Sequence, residues 1–88
     1  MGSKKLLKRL ADFFDMDARA REQRKEELNE LLTRLKQKEV SLKEELEQEK
    51  EETALKKLAQ KIDVVHTQRK KGVKMLLELR NDVDGKVS

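Results

Sequence analysis

Apolar residues recur at helical spacing in three separate stretches of this chain. In the first, Leu6, Leu7, Leu10, Phe13 and Phe14 fall at i, i+1, i+4, i+7 and i+8. That spacing marks one face of an α-helix, with Lys4, Lys5, Lys8, Arg9 and Asp12 on the others. It predicts an amphipathic helix over residues 3–15 with Ser3 as its N-cap. Asp15-Met16-Asp17 reads as a break, Asp15 or Asp17 capping the helix that follows.

The second stretch, residues 18–48, carries Leu28, Leu32, Leu35, Leu42 and Leu46 on one heptad seam, with Glu39 where a further apolar residue belongs. The third, residues 54–83, places Leu55, Leu58, Ile62, Val65, Arg69, Gly72, Leu76, Leu79 and Val83 at alternating steps of three and four. Such alternation is the pattern of a coiled coil. Asp84-Gly85 and the polar residues 84–88 predict the end of the helix.

Between the seams, Glu47-Gln48-Glu49-Lys50-Glu51-Glu52-Thr53 contains neither Gly nor Pro, so propensity would carry one helix straight through. The heptad phase argues against that. The two seams are out of register by two residues, about 200° around a helix axis. A continuous helix would place its stripes on opposite sides, whereas a reversal over residues 49–53 lets them meet. The expected pairs are Leu46 with Leu55, Leu42 with Leu58, Glu39 with Ile62, Leu35 with Val65, Leu32 with Arg69 and Leu28 with Gly72. The fold class expected is therefore all-α: an antiparallel helical hairpin (coiled coil) with a short amphipathic N-terminal helix, in one domain. A long dimeric coiled coil with a phase break is the alternative. The hairpin leaves Val73, Met75, Leu76, Leu77 and Leu79 under-covered, and the Leu/Phe face of the first helix is the natural lid.

Composition supports order over disorder. Charged residues reach 45%, but the rest is dominated by strong helix formers with a regular Leu rhythm. Charge is unevenly placed: residues 1–26 hold eight basic and five acidic side chains (+3), residues 27–53 five and nine (−4), and residues 54–88 nine and four (+5). There is no Cys, hence no disulfide framework or thiolate chemistry. Apolar runs are too short for a membrane span. Lys8, Arg9 and Asp12 interrupt any signal-peptide core near the N-terminus, so the expected compartment is the cytoplasm.

No enzyme, cofactor or metal is expected. The chain has one His and no Gly-rich phosphate loop, and a two-helix rod offers little concave surface in which to shift a pKa. Three surfaces compete to carry a binding function. The first is the basic stretch His66, Arg69, Lys70, Lys71 and Lys74, which could neutralise phosphates. It lacks interleaved aromatics for base stacking, and its bland reading is a solvated face complementing the acidic helix.

Within that stretch Arg69 and Gly72 break the seam. Gly costs about 1 kcal/mol of helix propensity against Ala, so the two mark either a notch where a partner docks or a register device, Arg69 reaching an acid such as Glu27 or Glu30. The second surface is the acidic tip of Glu44, Glu45, Glu47, Glu49, Glu51 and Glu52. A coiled-coil hairpin with a carboxylate tip is similar in outline to the bacterial transcript-cleavage factors, although no sequence motif of those factors occurs here. The third is the Leu/Phe helix, which would either cap the hairpin or lie on an anionic membrane.

The expectation is a protein–protein interaction or regulatory module using Leu6, Leu10, Phe13, Phe14, Arg69 and Gly72. Nucleic-acid or ribonucleoprotein binding through His66, Arg69, Lys70, Lys71 and Lys74 is the alternative. Self-association is compatible with either, and membrane association ranks last because Asp12 and Asp15 oppose anionic lipid.

Overall fold

The computed structural model describes the backbone over residues 3–87 and the side chains over residues 3–79. Its order is α1 (Ser3–Asp15), α2 (Ala18–Gln23), α3 (Lys25–Gln48) and α4 (Glu52–Val87). The described residues contain no strand. α3 and α4 form an antiparallel hairpin, and α1 lies across both. The molecule is a rod of 53 × 22 × 15 Å.

The reversal occupies only residues 49–51, shorter than the 49–53 expected. Glu49 leaves the helix with an extended backbone (φ −78°, ψ 137°). Its own carboxylate Oε1 accepts from the backbone N–H of Lys50 and of Glu51, each at 3.1 Å. A glutamate thus does the work usually given to Gly or Asn, by giving loop amides a local partner in place of the helical ladder.

The core is one apolar cluster built from three helices: Leu10 and Phe13 of α1; Leu28, Leu31, Leu32, Leu35 and Leu42 of α3; and Val65, Met75 and Leu76 of α4. Leu10, Leu28 and Leu35 have no exposed surface. Leu79 is buried too, Val73 is half-buried, and Leu77 stays exposed. The lid helix therefore covers the open end of the hairpin, as its Leu/Phe face requires. Val83, the last seam position, and the polar tail have side chains outside the described residues, as do Met1, Gly2 and Ser88 entirely.

Two boundaries differ from expectation. The helix over residues 18–48 is broken at Arg24 (φ −113°, ψ 22°), whose N–H is shared between the carbonyls of Ala20 and Arg21, both at 3.2 Å. No Gly or Pro announces this kink, which falls where the Arg24 side chain meets Phe13 of α1. At the other end α4 runs on through Asp84-Gly85 to Val87; with no Gly in a left-handed conformation among the described residues, Gly85 does not terminate it.

α1 is fastened at its C-terminal end. Asp17 caps α2 by accepting from the Ala20 N–H at 2.8 Å, which turns Arg21 back toward α1. Arg21 donates from Nε to the Phe13 carbonyl and from Nη2 to the Phe14 carbonyl, both at 2.9 Å. Both carbonyls lie at the end of α1, where the helical ladder runs out; that of Phe13 also accepts from the Met16 N–H at 3.2 Å, and a cation suits that pole of the helix dipole. Arg24 stacks over the Phe13 ring at 5.3 Å while gripping Glu27 with two bonds of 2.7 and 3.1 Å.

Candidate functional site

Glu39 is the one buried charged residue among those described, 3% exposed on the α3 seam. α4 brings two partners to it. Arg69 donates from Nε to Oε2 at 2.9 Å, and His66 Nδ1 meets Oε1 at 2.5 Å. Lys43, one turn along α3, stands 3.7 Å from Oε1. Burial pushes the Glu39 carboxyl up, but the hydrogen bonds from Arg69 and His66 together outweigh it, and the carboxyl is held below the usual carboxylate range. Both of its oxygens are engaged, and no polar side-chain atom among the described residues is buried without a partner. The group locks α3 to α4 in one register, the best-attested use of a polar seam residue.

This differs from the acid expected for Arg69, which was Glu27 or Glu30, and the cause is geometric. Side chains on a helix lean toward its N-terminus and cover the preceding turn. In an antiparallel pair those leans run in opposite directions in space, so Glu39 and Arg69 converge although their Cα atoms are not level. For the same reason Gly72 lies beneath Leu32, not Leu28. A Cβ on Gly72 would come within 2.5 Å of Leu32 Cδ2 and 3.1 Å of Leu10 Cδ1. The seam gap is real, but it is filled from inside the chain: Leu32 and Leu10 occupy the space that an incoming partner was expected to use.

The expected interaction residues are thus divided. Leu10 and Phe13 are core, Leu6 and Phe14 are partly buried against it, and Arg69 and Gly72 belong to the α3–α4 joint. Of the expected phosphate-binding set, His66 and Arg69 are engaged by Glu39, leaving Lys70, Lys71 and Lys74 exposed on the outer side of α4. At the tip, Glu44, Glu45, Glu47, Glu51 and Glu52 are exposed, while Glu49 is half-buried against its own loop.

Two further concave features bear on binding. One, of about 250 Å³, is lined by Arg9, Asp12, Phe13, Arg24, Glu27, Glu30, Leu31 and Arg34. Most of its charges are already paired: Arg24 and Arg9 on Glu27, Arg34 on Glu30. The hydrogen bond from Arg24 draws the Glu27 carboxyl below its usual range against a smaller opposing effect of burial.

The other is a groove of about 620 Å³ between the start of α1 and the middle of α4, lined by Ser3, Lys4, Leu7, Lys57, Gln60, Lys61, Val64 and Val65. Its floor is aliphatic, and Val64 keeps 48% of its surface exposed. Its rim is lysine with no carboxylate in the lining. The ion pairs of the described residues involve Arg9, Arg24, Arg34, Lys43, His66 and Arg69, none of the groove lysines. Sequence reasoning missed this site because Leu7 and Val64 are distant in the chain and Val64 lies off the heptad seam.

The described residues hold no group of His, Cys, Asp and Glu able to bind a metal ion, and no helix among them is long and apolar enough to cross a membrane. The fold defines an all-α antiparallel hairpin with an N-terminal lid helix. No family model matches the chain, and no curated protein or solved structure matches it.

Proposed function

We propose that this chain is a non-catalytic protein-interaction or regulatory module of the cytoplasm, a stiff helical scaffold that presents the groove between α1 and α4 to another protein. The observation carrying this reading is the groove itself. Most of the apolar seam is satisfied internally, yet Leu7 and Val64 still line an open, aliphatic-floored depression above Val65. Exposed apolar patches rimmed by polar residues mark interaction sites.

Binding of phosphate groups through Lys70, Lys71 and Lys74 is the second reading, favoured by the exposure of all three. It is weakened by the loss of His66 and Arg69 to Glu39 and by the want of a stacking aromatic beside them. The inward-facing Leu10 and Phe13 leave α1 little apolar face for a bilayer.

Affinity capture from the native lysate, with and without nuclease, separates these readings when wild type is compared with Val64→Glu and with Lys70→Glu/Lys71→Glu. A protein retained after nuclease and lost with Val64→Glu supports the groove. Capture that vanishes with nuclease, or with the lysine double variant, overturns it in favour of nucleic acid. Capture indifferent to Val64→Glu overturns it as well.

A further inference from the structure

We infer that the groove between α1 and α4 receives an acidic amphipathic helix of a partner protein, an assignment that rests on the interaction reading above. Charge is the first argument. Lys4, Lys57 and Lys61 stand around the groove, no carboxylate lines it, and none of the three is held in an ion pair of the described residues. A guest carrying carboxylates on both flanks of an apolar stripe would meet all three.

The floor is the second argument. Leu7 and Val64 reward aliphatic side chains, over a bed closed by Val65, and the lining offers no ring on which a nucleobase could stack. Phe13 is buried and Phe14 lies within the lid. Val65, 1% exposed, closes the bottom of the depression, so its accessible apolar surface is that of Leu7 and Val64.

Backbone chemistry is the third. With no strand among the described residues, there is no sheet edge for an extended peptide to pair with. A helix satisfies its own amides and lays one face into a groove between helices. Lys57 to Val65 spans about 12 Å along α4 at 1.5 Å per residue, room for about two turns of guest. So short a contact implies weak, rapidly exchanging binding, accelerated by the charge complementarity.

The test uses the full chain and synthetic peptides of about four turns. One carries Leu at i, i+4 and i+7 flanked by Glu; its twin replaces every Glu with Lys; a third keeps the Glu but scrambles the Leu stripe. Methyl NMR of Leu7, Val64 and Val65 reports the site, and titration gives affinity. The acidic amphipathic peptide should shift those methyls and bind about tenfold more tightly than its Lys twin, the effect of three exposed ion pairs. Lys57→Glu/Lys61→Glu should invert that preference while leaving the helical spectrum unchanged. Salt should weaken binding without abolishing it.

Equal binding of the two charge forms, or of the scrambled peptide, overturns the assignment. So does a larger effect at the same methyls from a single-stranded oligonucleotide or from vesicles of phosphatidylglycerol. Concentration-dependent shifts without peptide would identify a second copy as occupant and overturn it too. If no peptide binds while Val64→Glu still abolishes capture of a lysate protein, the helix fails and the interaction reading stands. If Val64→Glu changes nothing, both fail.

Discussion

Glu39 illustrates how much one residue can commit. A carboxylate removed from water carries a penalty of several kcal/mol unless it is paired and hydrogen-bonded. Arg69→Met should therefore cost about 3 kcal/mol, most of it the penalty of an under-compensated charge. The double variant Glu39→Leu/Arg69→Met should recover to wild-type stability or above, because an apolar seam needs no compensation. Urea denaturation of the two singles and the double decides: a double variant as unstable as Arg69→Met alone would mean the pair is not the cause.

The same residue sets a pH dependence. Its folded carboxyl titrates below the unfolded value of about 4.3, so its contribution is complete above that value and fades as pH falls through the folded one. Lys43, His66 and Arg69 face it with positive or ionisable charge, and Asp63 shares its cleft. Wild type should lose stability below about pH 4.5 more steeply than Glu39→Gln, with urea midpoints against pH as the measurement.

Gly72 offers a test of sign. At an open notch, Gly72→Ala would stabilise the helix by about 1 kcal/mol. Against the methyls of Leu32 and Leu10, overpacking costs about 1–3 kcal/mol, so the net change should be destabilising, by about 1 kcal/mol in chemical denaturation.

At the scale of elements, the lid depends on Arg21. Two charge-assisted bonds close the end of α1, each worth about 1.5–3 kcal/mol where well sheltered. Arg21→Ala should raise hydrogen exchange across Ser3–Asp15 while α3 and α4 keep their protection; uniform loss of protection would show that the lid and hairpin open together. Which elements were legible follows from the range of the forces that make them. The 3–15 helix, the Asp17 cap and the hairpin rest on periodicity, local capping and heptad phase, all carried within a few turns of chain. The break at Arg24 falls where its side chain meets Phe13 of another helix, a contact that leaves no local mark in the sequence. The partner of Arg69 was misplaced because matching positions across a seam ignores the lean of side chains, and the groove was invisible because it exists only once α1 has docked.

For the whole molecule, hairpin and continuous helix predict different shapes. The rod extends 53 Å, whereas an unbroken helix over residues 18–87 would reach about 105 Å at 1.5 Å per residue. Small-angle scattering at low concentration should give a monomeric mass and a maximum dimension far nearer the former. A dimeric mass with a dimension near 100 Å would instead establish the continuous helix.

The loop at residues 49–51 carries a further consequence. Beside the phase mismatch of its flanking seams, its device against straightening is one glutamate bonded to two neighbouring amides, set in a segment whose every residue tolerates a helix. The seam contacts do not distinguish between arms of one chain and arms borrowed from another. Two molecules whose loops opened into an extended link could exchange arms and rebuild the same Leu and Glu39–Arg69 contacts across a two-fold axis, whereas a straight helix would turn the two stripes apart. The hinge, more than the core, thus sets the molecularity of the fold, and a change confined to Glu49 could alter subunit count while leaving helix content and core composition untouched.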